Sequence, residues 1–383
     1  VSTSTASLVG VIGDDEVALN VTQAAGAFAN ANAGTGKAVT ISGLTISGAD
    51  AGNYTLAQPT TTATITISVK TLEVSGITAS DKEYDGGTTA TLLGTATTTL
   101  VGIIGDDQVT LNVTQAAGAF ANADVGTGKT VTISGLTISG ADAGNYSLAQ
   151  PTTTATITAK GLTVSGITAS DKEYDGGTTA TIEGTANLVG AISGDDVTLN
   201  AIQAAGAFAN ADLGTGKTVT ISGLAITGAD AGNYTLTQPT TTATITAKEL
   251  TVSGITASDK EYDGTTAATL VSTSTASLIG VIGGDDVTLN ATEATGAFAD
   301  VNLGTGKTVT ISGLTISGAD PANYTLTQPT TTATINAKGL TVSGITASDK
   351  EYDGTNEATL AGTGTASLVG VVGGDDVTLN VTQ

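Results

Sequence analysis

Acidic side chains are the residues of this chain with the clearest potential for chemistry. In the segment 160–247 they fall in three places, and each place is turn-like. Carboxylate oxygens suit calcium, because a hard cation takes several oxygen ligands. The structural alternative is that these residues stabilise turns through local hydrogen bonds to the backbone. The candidate calcium ligands are Asp171, Glu173, Asp175, Asp195, Asp196 and Asp230.

A second motif, Gly-Thr-Gly-Lys-Thr, invites comparison with a phosphate-binding loop. It occurs at 126–130, 214–218 and 304–308. A phosphate loop needs a further glycine five positions before the Gly-Lys pair, and it leads from a strand into a helix. That position is Ala211 in the second copy, and the residues that follow are strand-forming. We therefore interpret the motif as a glycine-rich hairpin turn, and an ATPase is excluded.

Other catalytic and covalent chemistries fit the sequence poorly. Paired carboxylates act in glycosidases, but here the pair would recur in every copy with few aromatic residues to stack on sugars. An isopeptide crosslink would need a buried lysine, asparagine and acid, for which Lys217 and Asn233 are the conceivable pair. The chain has no cysteine and no histidine, which removes thiolates and imidazole ligands. The sequence thus predicts a protein that is not an enzyme.

These motifs recur because the chain repeats itself about every 90 residues. The phrase Asp-Lys-Glu-Tyr-Asp-Gly starts at Asp81, Asp171, Asp259 and Asp349. Self-similarity at a fixed period is the sequence signature of an array of modules. An active site is needed once, whereas copying a module provides reach, stiffness and multivalency. The predicted modules are a partial repeat at 1–69, complete repeats at 70–159, 160–247 and 248–337, and a partial repeat at 338–383.

The composition predicts an all-β fold. Threonine, valine and isoleucine are abundant, and β-branched side chains favour strands. Apolar residues alternate with polar ones, as at Ala243, Ile245 and Ala247, which is typical of antiparallel sheets with one wet face. We predict a tandem array of Ig-like antiparallel β-sandwich modules, with β-grasp-like or mixed β-roll modules as the alternative. The segment 203–210 is left open between a helical turn and a bulged strand.

Tyrosines in two recurring phrases are predicted to be structural. The phrase Ala-Asp-x-x-Asn-Tyr resembles the tyrosine corner of Ig-like domains, where the hydroxyl bonds back to a nearby backbone group. On this interpretation 234–238 is strand F and 240–247 is strand G. The cysteine pair and core tryptophan of those domains are absent. The structural tyrosines are Tyr54, Tyr146, Tyr234 and Tyr324 of this phrase, and Tyr84, Tyr174, Tyr262 and Tyr352 of the other.

Charge and hydropathy exclude two classes of partner. Acidic residues outnumber basic ones by 35 to 12, and the resulting net charge of −23 repels nucleic acid and anionic membranes. No run of 18 apolar residues is present, so direct membrane insertion of this segment is not expected. The junction 246–250 contains no glycine or proline. We therefore expect the last strand of one module to lead directly into the first strand of the next.

The combined phrases resemble a known family. The run Val-Ser-Gly-Ile-Thr-Ala-Ser-Asp-Lys-Glu-Tyr-Asp-Gly-Thr-Thr at 252–266, together with Gly-Thr-Gly-Lys-Thr-Val and Gly-Ala-Asp-x-x-Asn-Tyr-Thr-Leu, is similar to the YDG repeat, to which MBG domains are related. The resemblance covers essentially the whole chain. Such repeats occur in tandem in very large bacterial surface proteins, including filamentous-haemagglutinin-like adhesins. The resemblance implies extracellular display and supplies no catalytic residues.

The function expected from this resemblance is mechanical. We expect the stalk of a giant secreted or surface-displayed bacterial adhesin, which projects a binding head and supports cell adhesion or biofilm. One alternative is that the repeats self-assemble into an extracellular fibre, and another is that each repeat is a weak glycan-binding module. The expected partners are neighbouring repeats of the same chain, other copies in a fibre, or extracellular matrix glycans. Calcium is the one cofactor suggested.

Overall fold

The computed structural model describes residues 5–61 and 66–381 of the chain. In these ranges the regular elements are β-strands and single turns of 3-10 helix, which confirms the all-β prediction. Contacts divide the chain into two compact units, each built from separate segments. The first comprises Val1–Thr163, Leu188–Leu199 and Ile226–Thr237, and the second comprises Val164–Asn187, Asn200–Ala225 and Gln238–Gln383. The division runs through the repeat 160–247, whose segments belong to both units.

The five strands of the repeat 1–69 have counterparts in the same order in the repeat 70–159. The repeat 1–69 contains Ala18–Asn20, Ala25–Phe28, Val39–Ser42, Thr45–Ser47 and Thr60–Thr61. The repeat 70–159 contains Lys70–Ser75, Thr78–Ala79, Lys82–Glu83, Thr89–Ala90, Leu92–Leu93, Thr99–Val101, Thr110–Asn112, Ala117–Phe120, Gly126–Ser134, Thr137–Ser139, Tyr146–Leu148 and Thr152–Thr158.

The later repeats follow the same pattern. The repeat 160–247 contains Lys160–Ala169, Lys172–Glu173, Thr179–Ala180, Ile182–Val189, Thr198–Asn200, Ala205–Phe208, Gly214–Ser222, Ala225–Thr227, Tyr234–Leu236 and Thr240–Thr246. The repeat 248–337 contains Lys248–Ser253, Thr256–Ala257, Lys260–Glu261, Ala267–Ala268, Leu270–Val271, Ser277–Ile279, Val287–Asn290, Thr295–Phe298, Gly304–Ser312, Thr315–Gly318, Tyr324–Leu326 and Thr330–Asn336. The last repeat contains Thr341–Ser343, Thr346–Ala347, Leu360–Ala361 and Ser367–Val369. The 3-10 turns are Ala51–Asn53, Thr95–Thr97, Ala143–Asn145, Ala231–Asn233, Thr273–Thr275, Pro321–Asn323 and Thr363–Thr365.

A five-stranded sheet forms the larger layer of each complete repeat. In the repeat 70–159 its central pair is Gly126–Ser134 with Thr152–Thr158, and these strands are antiparallel. Val131, Ile133 and Ile157 are fully buried on one face, as the alternation of apolar and polar residues requires. The strand order is Lys82–Glu83, Thr152–Thr158, Gly126–Ser134, Ala117–Phe120, Thr89–Ala90.

A three-stranded sheet forms the second layer, and it is mixed. Lys70–Ser75 lies in the centre, antiparallel to Thr99–Val101 and parallel to Tyr146–Leu148. Lys82–Glu83 is also parallel to Thr152–Thr158 in the larger sheet. The predicted antiparallel modules therefore contain two parallel pairings in this repeat, and their sheets are mixed, as in the alternative that the sequence left open. The same two parallel pairings recur in the repeat 248–337.

The assignment of the last two strands as neighbouring F and G strands is wrong. In Ig domains these strands share a sheet, whereas Tyr146–Leu148 and Thr152–Thr158 lie in different sheets. The crossing between them is fixed by Gln150, whose side chain bonds both the N–H and the C=O of Leu136 at 3.2 and 2.9 Å. The next residue, Pro151, has no N–H, and its carbonyl accepts the N–H of Ile133 at 3.0 Å.

The Gly-Thr-Gly-Lys-Thr motif begins a strand and is not a hairpin turn, which corrects the sequence interpretation. Gly126–Ser134 carries a β-bulge between Gly126 and Lys129, where the pairing with Thr152–Thr158 shifts register. Gly128 in this bulge has φ +59°, a conformation that glycine adopts without strain. No helix follows the motif, in agreement with the exclusion of a phosphate loop.

The segment 203–210, left open by the sequence, contains the strand Ala205–Phe208. Phe208 is 3% exposed and packs in a core with Val219, Ile245 and Tyr174. The predicted inward face of the closing strand is confirmed at Ala243 and Ile245, which are buried.

Consecutive repeats are joined by very short connections. One residue, Ala159, separates Thr152–Thr158 from Lys160–Ala169. One residue, Ala247, likewise separates Thr240–Thr246 from Lys248–Ser253. The expected direct passage from the last strand of one repeat into the first strand of the next is confirmed at both places. Such a connection leaves little freedom for a hinge.

Candidate functional site

The Asp-Lys-Glu-Tyr-Asp-Gly loop is the part of the repeat with the densest polar contacts. In the repeat 70–159, Asp81 accepts the backbone N–H of Thr156 at 2.6 Å, which ties the loop to the closing strand. Glu83 forms an ion pair of 3.1 Å with Lys160, the first residue of the next repeat. Both carboxylates therefore connect the loop to the segments on either side of the junction.

Lys82 and Asp85 close the loop on itself. The Lys82 ammonium donates to Asp85 at 2.7 Å and to the carbonyl of Gly87 at 2.6 Å. It also lies 5.6 Å from the centre of the Phe120 ring, in the range of a cation–π contact. The hydrogen bonds from Lys82 and from the Gly87 N–H lower the pKa of Asp85 below its usual value. The contacts of Lys82 with Asp85 and Gly87 thus fix the loop that carries Tyr84.

Tyr84 reaches into the following repeat. Its hydroxyl donates to Asp195 at 2.8 Å, and Tyr234 of that following repeat donates to the same carboxylate oxygen at 2.6 Å. The two rings meet edge to face, with centroids 5.4 Å apart and an interplanar angle of 78°. Tyr84 and Tyr234 are 4% and 6% exposed, so the contact is a buried one. We call this arrangement the tyrosine clasp: one carboxylate held by one tyrosine from each of two repeats.

A second tyrosine clasp with the same geometry lies in the other compact unit. Tyr174 donates to Asp285 at 2.8 Å, and Tyr324 donates to the same oxygen at 2.6 Å. Their rings are again 5.4 Å apart at 77°. The clasp is therefore a repeated feature of the junctions.

The Asn-Tyr phrase supplies the other half of each junction. The Tyr234 hydroxyl accepts the backbone N–H of Ile192 at 3.0 Å, so the tyrosine bonds to the backbone as expected for a tyrosine corner. The bonded residue lies 42 positions upstream rather than a few. Asn233 is 7% exposed and accepts the N–H of Val125 in the preceding repeat at 2.9 Å.

These asparagines are junction residues that the sequence analysis missed. Asn145 accepts the N–H of Ala33 at 2.8 Å, and Asn323 accepts the N–H of Leu213 at 2.9 Å. The signal was present as an asparagine before each tyrosine of the phrase. Asn233 is engaged in this way, and Lys217 donates instead to Asn210. Lys217 and Asn233, which were considered for an isopeptide crosslink, therefore each bond to a different residue.

Three of the remaining predicted structural tyrosines also donate to an aspartate. Tyr54 donates to Asp15 at 2.5 Å and Tyr146 donates to Asp107 at 2.6 Å. Tyr262 donates to Asp375 in the following repeat at 2.9 Å. Tyr352 differs from the others because it is 96% exposed.

The six candidate calcium ligands are engaged with protein donors. Asp171, Glu173 and Asp175 repeat the loop contacts, with the N–H of Thr244, Lys248 and Lys172 respectively. Asp195 holds the clasp, Asp196 accepts the N–H of Ala229, and Asp230 accepts the N–H of Asp196. Within 5–61 and 66–381, no three acidic, histidine or cysteine side chains are grouped so as to hold a metal. Calcium binding stays a prediction. If calcium binds, the chain should have a higher melting temperature in calcium than in a chelator.

Alkaline pH is expected to weaken the clasps. Burial and the hydrogen bond to the Asp195 carboxylate raise the pKa of Tyr84 from 10.0 to about 12, and Tyr174 behaves alike beside Asp285. A raised pKa means that the folded state holds the phenol proton more tightly than the unfolded state. This stabilisation is present below pH 10 and is lost as the pH rises through 12.

Urea denaturation at a series of alkaline pH values measures this effect. The midpoint should fall between pH 10 and 12 for the parent chain. A chain with Tyr84→Phe and Tyr174→Phe should show a smaller fall, because it lacks two of the phenols whose pKa is raised. Equal pH dependence of the two chains would contradict the assignment.

The fold and the junctions define a class of protein: an all-β tandem-repeat protein whose repeats are interlocked by side chains. A family model described as YDG domain matches five segments of the chain, 1–63, 68–155, 158–243, 246–333 and 336–383. These matches cover nearly the whole sequence, and the chain belongs to the YDG domain family. None of the curated proteins matches it at a significant level. In the described ranges there is no helix that could cross a lipid bilayer.

Proposed function

We propose that this chain is an extender segment of a giant secreted or surface-displayed bacterial adhesin. It would hold a distal binding head away from the cell and so support cell adhesion or biofilm. The role is mechanical and not catalytic. The observation that carries the proposal is the tyrosine clasp, because it joins one repeat to the next through buried side chains in addition to the peptide chain.

The clasp suits a load-bearing role for a physical reason. Tyr84 and Tyr234 bond to one carboxylate, and Val125 bonds to Asn233 at the same junction. Bending or extending such a junction breaks several buried hydrogen bonds at once, each of which is costly to leave unpaired. The single-residue connection at Ala159 adds little slack. A repeated, interlocked module is therefore suited to transmit force along a chain.

The charge of the chain fits display outside the cell. A net charge of −23 keeps a long repetitive protein soluble and repels other acidic surfaces. Neighbouring repeats are the partners that this role requires. Other copies of the chain and extracellular matrix glycans are further candidate partners.

Antibody labelling of intact bacteria tests the location. Antibodies against the 383-residue chain should label intact cells that produce the parent protein, and labelling only after permeabilisation would contradict the proposal.

The extender role is tested by adding repeats. Chains with one and two extra copies of 160–247 should gain equal increments in maximum dimension by small-angle X-ray scattering, whereas a chain that compacts on lengthening does not act as an extender.

A further inference from the structure

Each tyrosine clasp brings two phenols to one basic oxygen atom. In the first compact unit, the hydroxyls of Tyr84 and Tyr234 donate to the same Oδ2 atom of Asp195 at 2.8 and 2.6 Å. In the second unit, Tyr174 and Tyr324 share an aspartate oxygen in the same way. Two hydroxyls that donate to one acceptor atom lie close to each other. The clasp therefore brings together the reactive ends of two phenols in addition to packing their rings.

The ring positions suit the formation of a covalent bond between the two phenols. The ring centroids are 5.4 Å apart in both clasps, at interplanar angles of 78° and 77°. Dityrosine forms when a carbon next to the hydroxyl of one ring bonds to the corresponding carbon of another ring. In that product the two hydroxyls flank the new bond. Two hydroxyls that share one acceptor oxygen therefore already have the placement that dityrosine requires.

The shared carboxylate is the base that phenol oxidation needs. Burial and the hydrogen bond to Asp195 raise the pKa of Tyr84 to about 12, so this phenol is protonated at neutral pH. A protonated phenol that loses an electron becomes a strong acid, and its proton passes to a hydrogen-bonded base. Asp195 can accept the proton of either Tyr84 or Tyr234. The clasp thus contains both reactants and their proton acceptor.

Burial of the pair favours reaction within the clasp. Tyr84 and Tyr234 are 4% and 6% exposed. In the part of the chain that the structure describes, the aromatic rings in contact are those of the two clasps. A phenoxyl radical formed in a clasp therefore meets its partner ring before it meets another molecule, because the two groups are held together at high effective concentration.

We propose that each tyrosine clasp is a site of oxidative crosslinking, at which a one-electron oxidant joins two consecutive repeats through a dityrosine bond. Each phenol gives one electron to the oxidant and one proton to the shared carboxylate, which passes the proton to water. The two phenoxyl radicals form a carbon–carbon bond, and the hydrogens of the joined carbons move as protons to the phenol oxygens. The oxidant is hydrogen peroxide acting through a haem peroxidase, and the two electrons and two protons convert one peroxide into two waters.

The crosslink turns a hydrogen-bonded junction into a covalent one. The chain has no cysteine, so a disulfide cannot join its repeats. A bond between Tyr84 and Tyr234 closes a long loop, which restricts the unfolded chain and stabilises the folded state. This chemistry does not depend on where the protein is displayed.

Tryptic peptide mapping after oxidation tests the proposal. Cleavage after the lysines places each of the eight tyrosines in a peptide of its own. The 383-residue chain with Tyr352→Phe is treated with hydrogen peroxide and a haem peroxidase, because the exposed Tyr352 couples between molecules. Mass spectrometry should find 83–129 joined to 218–248 and 173–217 joined to 308–338, each pair two hydrogen atoms lighter than its separate peptides. The treated chain should also unfold at a higher urea midpoint than the untreated chain.

A matched variant separates coupling in the clasp from random oxidation. Tyr234→Phe keeps the ring and removes the hydroxyl, so this chain should lose the joined pair of 83–129 and 218–248 and keep the other pair. Absence of both pairs from the folded chain, while free tyrosine in a parallel reaction forms dityrosine, would overturn the proposal. Equal yields of joined peptides from tyrosines of different clasps would overturn it as well. Either result leaves the extender role unaffected.

Discussion

Replacing Tyr174 with alanine is expected to lower the free energy of unfolding of the second compact unit by about 3–5 kcal/mol, the usual range for removing a large buried aromatic side chain. The ring is 5% exposed, packs edge to face on Tyr324 and donates its hydroxyl to Asp285. Truncation removes all of these contacts and leaves a cavity at the junction. Chemical denaturation followed by circular dichroism measures the change.

The chain contains its own control for this substitution. Tyr352 lies in the same Glu-Tyr-Asp-Gly sequence but is 96% exposed. Tyr352→Ala should change the free energy of unfolding by no more than about 0.5 kcal/mol, as is usual for surface positions. Similar losses for the two variants would show that the tyrosine acts within its own loop and not across the junction.

Local periodicity was sufficient to predict the closing strand of the repeat. Ala243 and Ile245 face the core and alternate with threonines, because successive side chains of a strand point to opposite faces. The absence of glycine and proline at 246–250 likewise predicted the direct passage from one repeat into the next. These features depend on residues close in sequence, and a single sequence contains that information.

The partners of the strands and of the tyrosines could not be predicted in this way. Tyr84 and Asp195 are 111 positions apart, and the pairing places them in different repeats. Alternation also cannot distinguish a parallel neighbour from an antiparallel one, which is why the pairing of Lys70–Ser75 with Tyr146–Leu148 was missed. The available signal was that each complete repeat carries one loop tyrosine, one Asn-Tyr phrase and one acidic turn, in equal numbers.

The glycines of the Gly-Thr-Gly-Lys-Thr motif were predicted to form a hairpin turn, whereas they lie at a β-bulge in a strand. The sequence interpretation placed Gly128 in a glycine-rich hairpin turn, and its φ is +59°. Both a hairpin turn and a bulge use such a glycine, so composition alone does not separate them. The register shift against Thr152–Thr158 decides for a bulge.

The second large effect is expected at the carboxylate of the clasp. Asp285→Ala leaves the hydroxyls of Tyr174 and Tyr324 without their acceptor, and each buried unpaired group costs about 1–3 kcal/mol. The free energy of unfolding of the second unit should therefore fall by about 2–6 kcal/mol. Among the residues that the structure describes, Asp375 accepts one phenol, that of the half-buried Tyr262. Asp375→Ala should accordingly cost less than half as much in the same denaturation experiment.

Asp285→Asn separates the charge of the acceptor from its geometry. Asparagine keeps an acceptor oxygen at the same place, so most of the stability at neutral pH should remain. The carboxylate is one cause of the raised pKa of Tyr174, alongside burial, and its neutralisation should bring that pKa down toward 10.0. The loss of stability of the second unit between pH 10 and 12 should then be smaller than in the parent chain. An alkaline loss equal to that of the parent chain, together with a small loss of stability in Asp285→Ala, would mean that ring packing alone holds the junction.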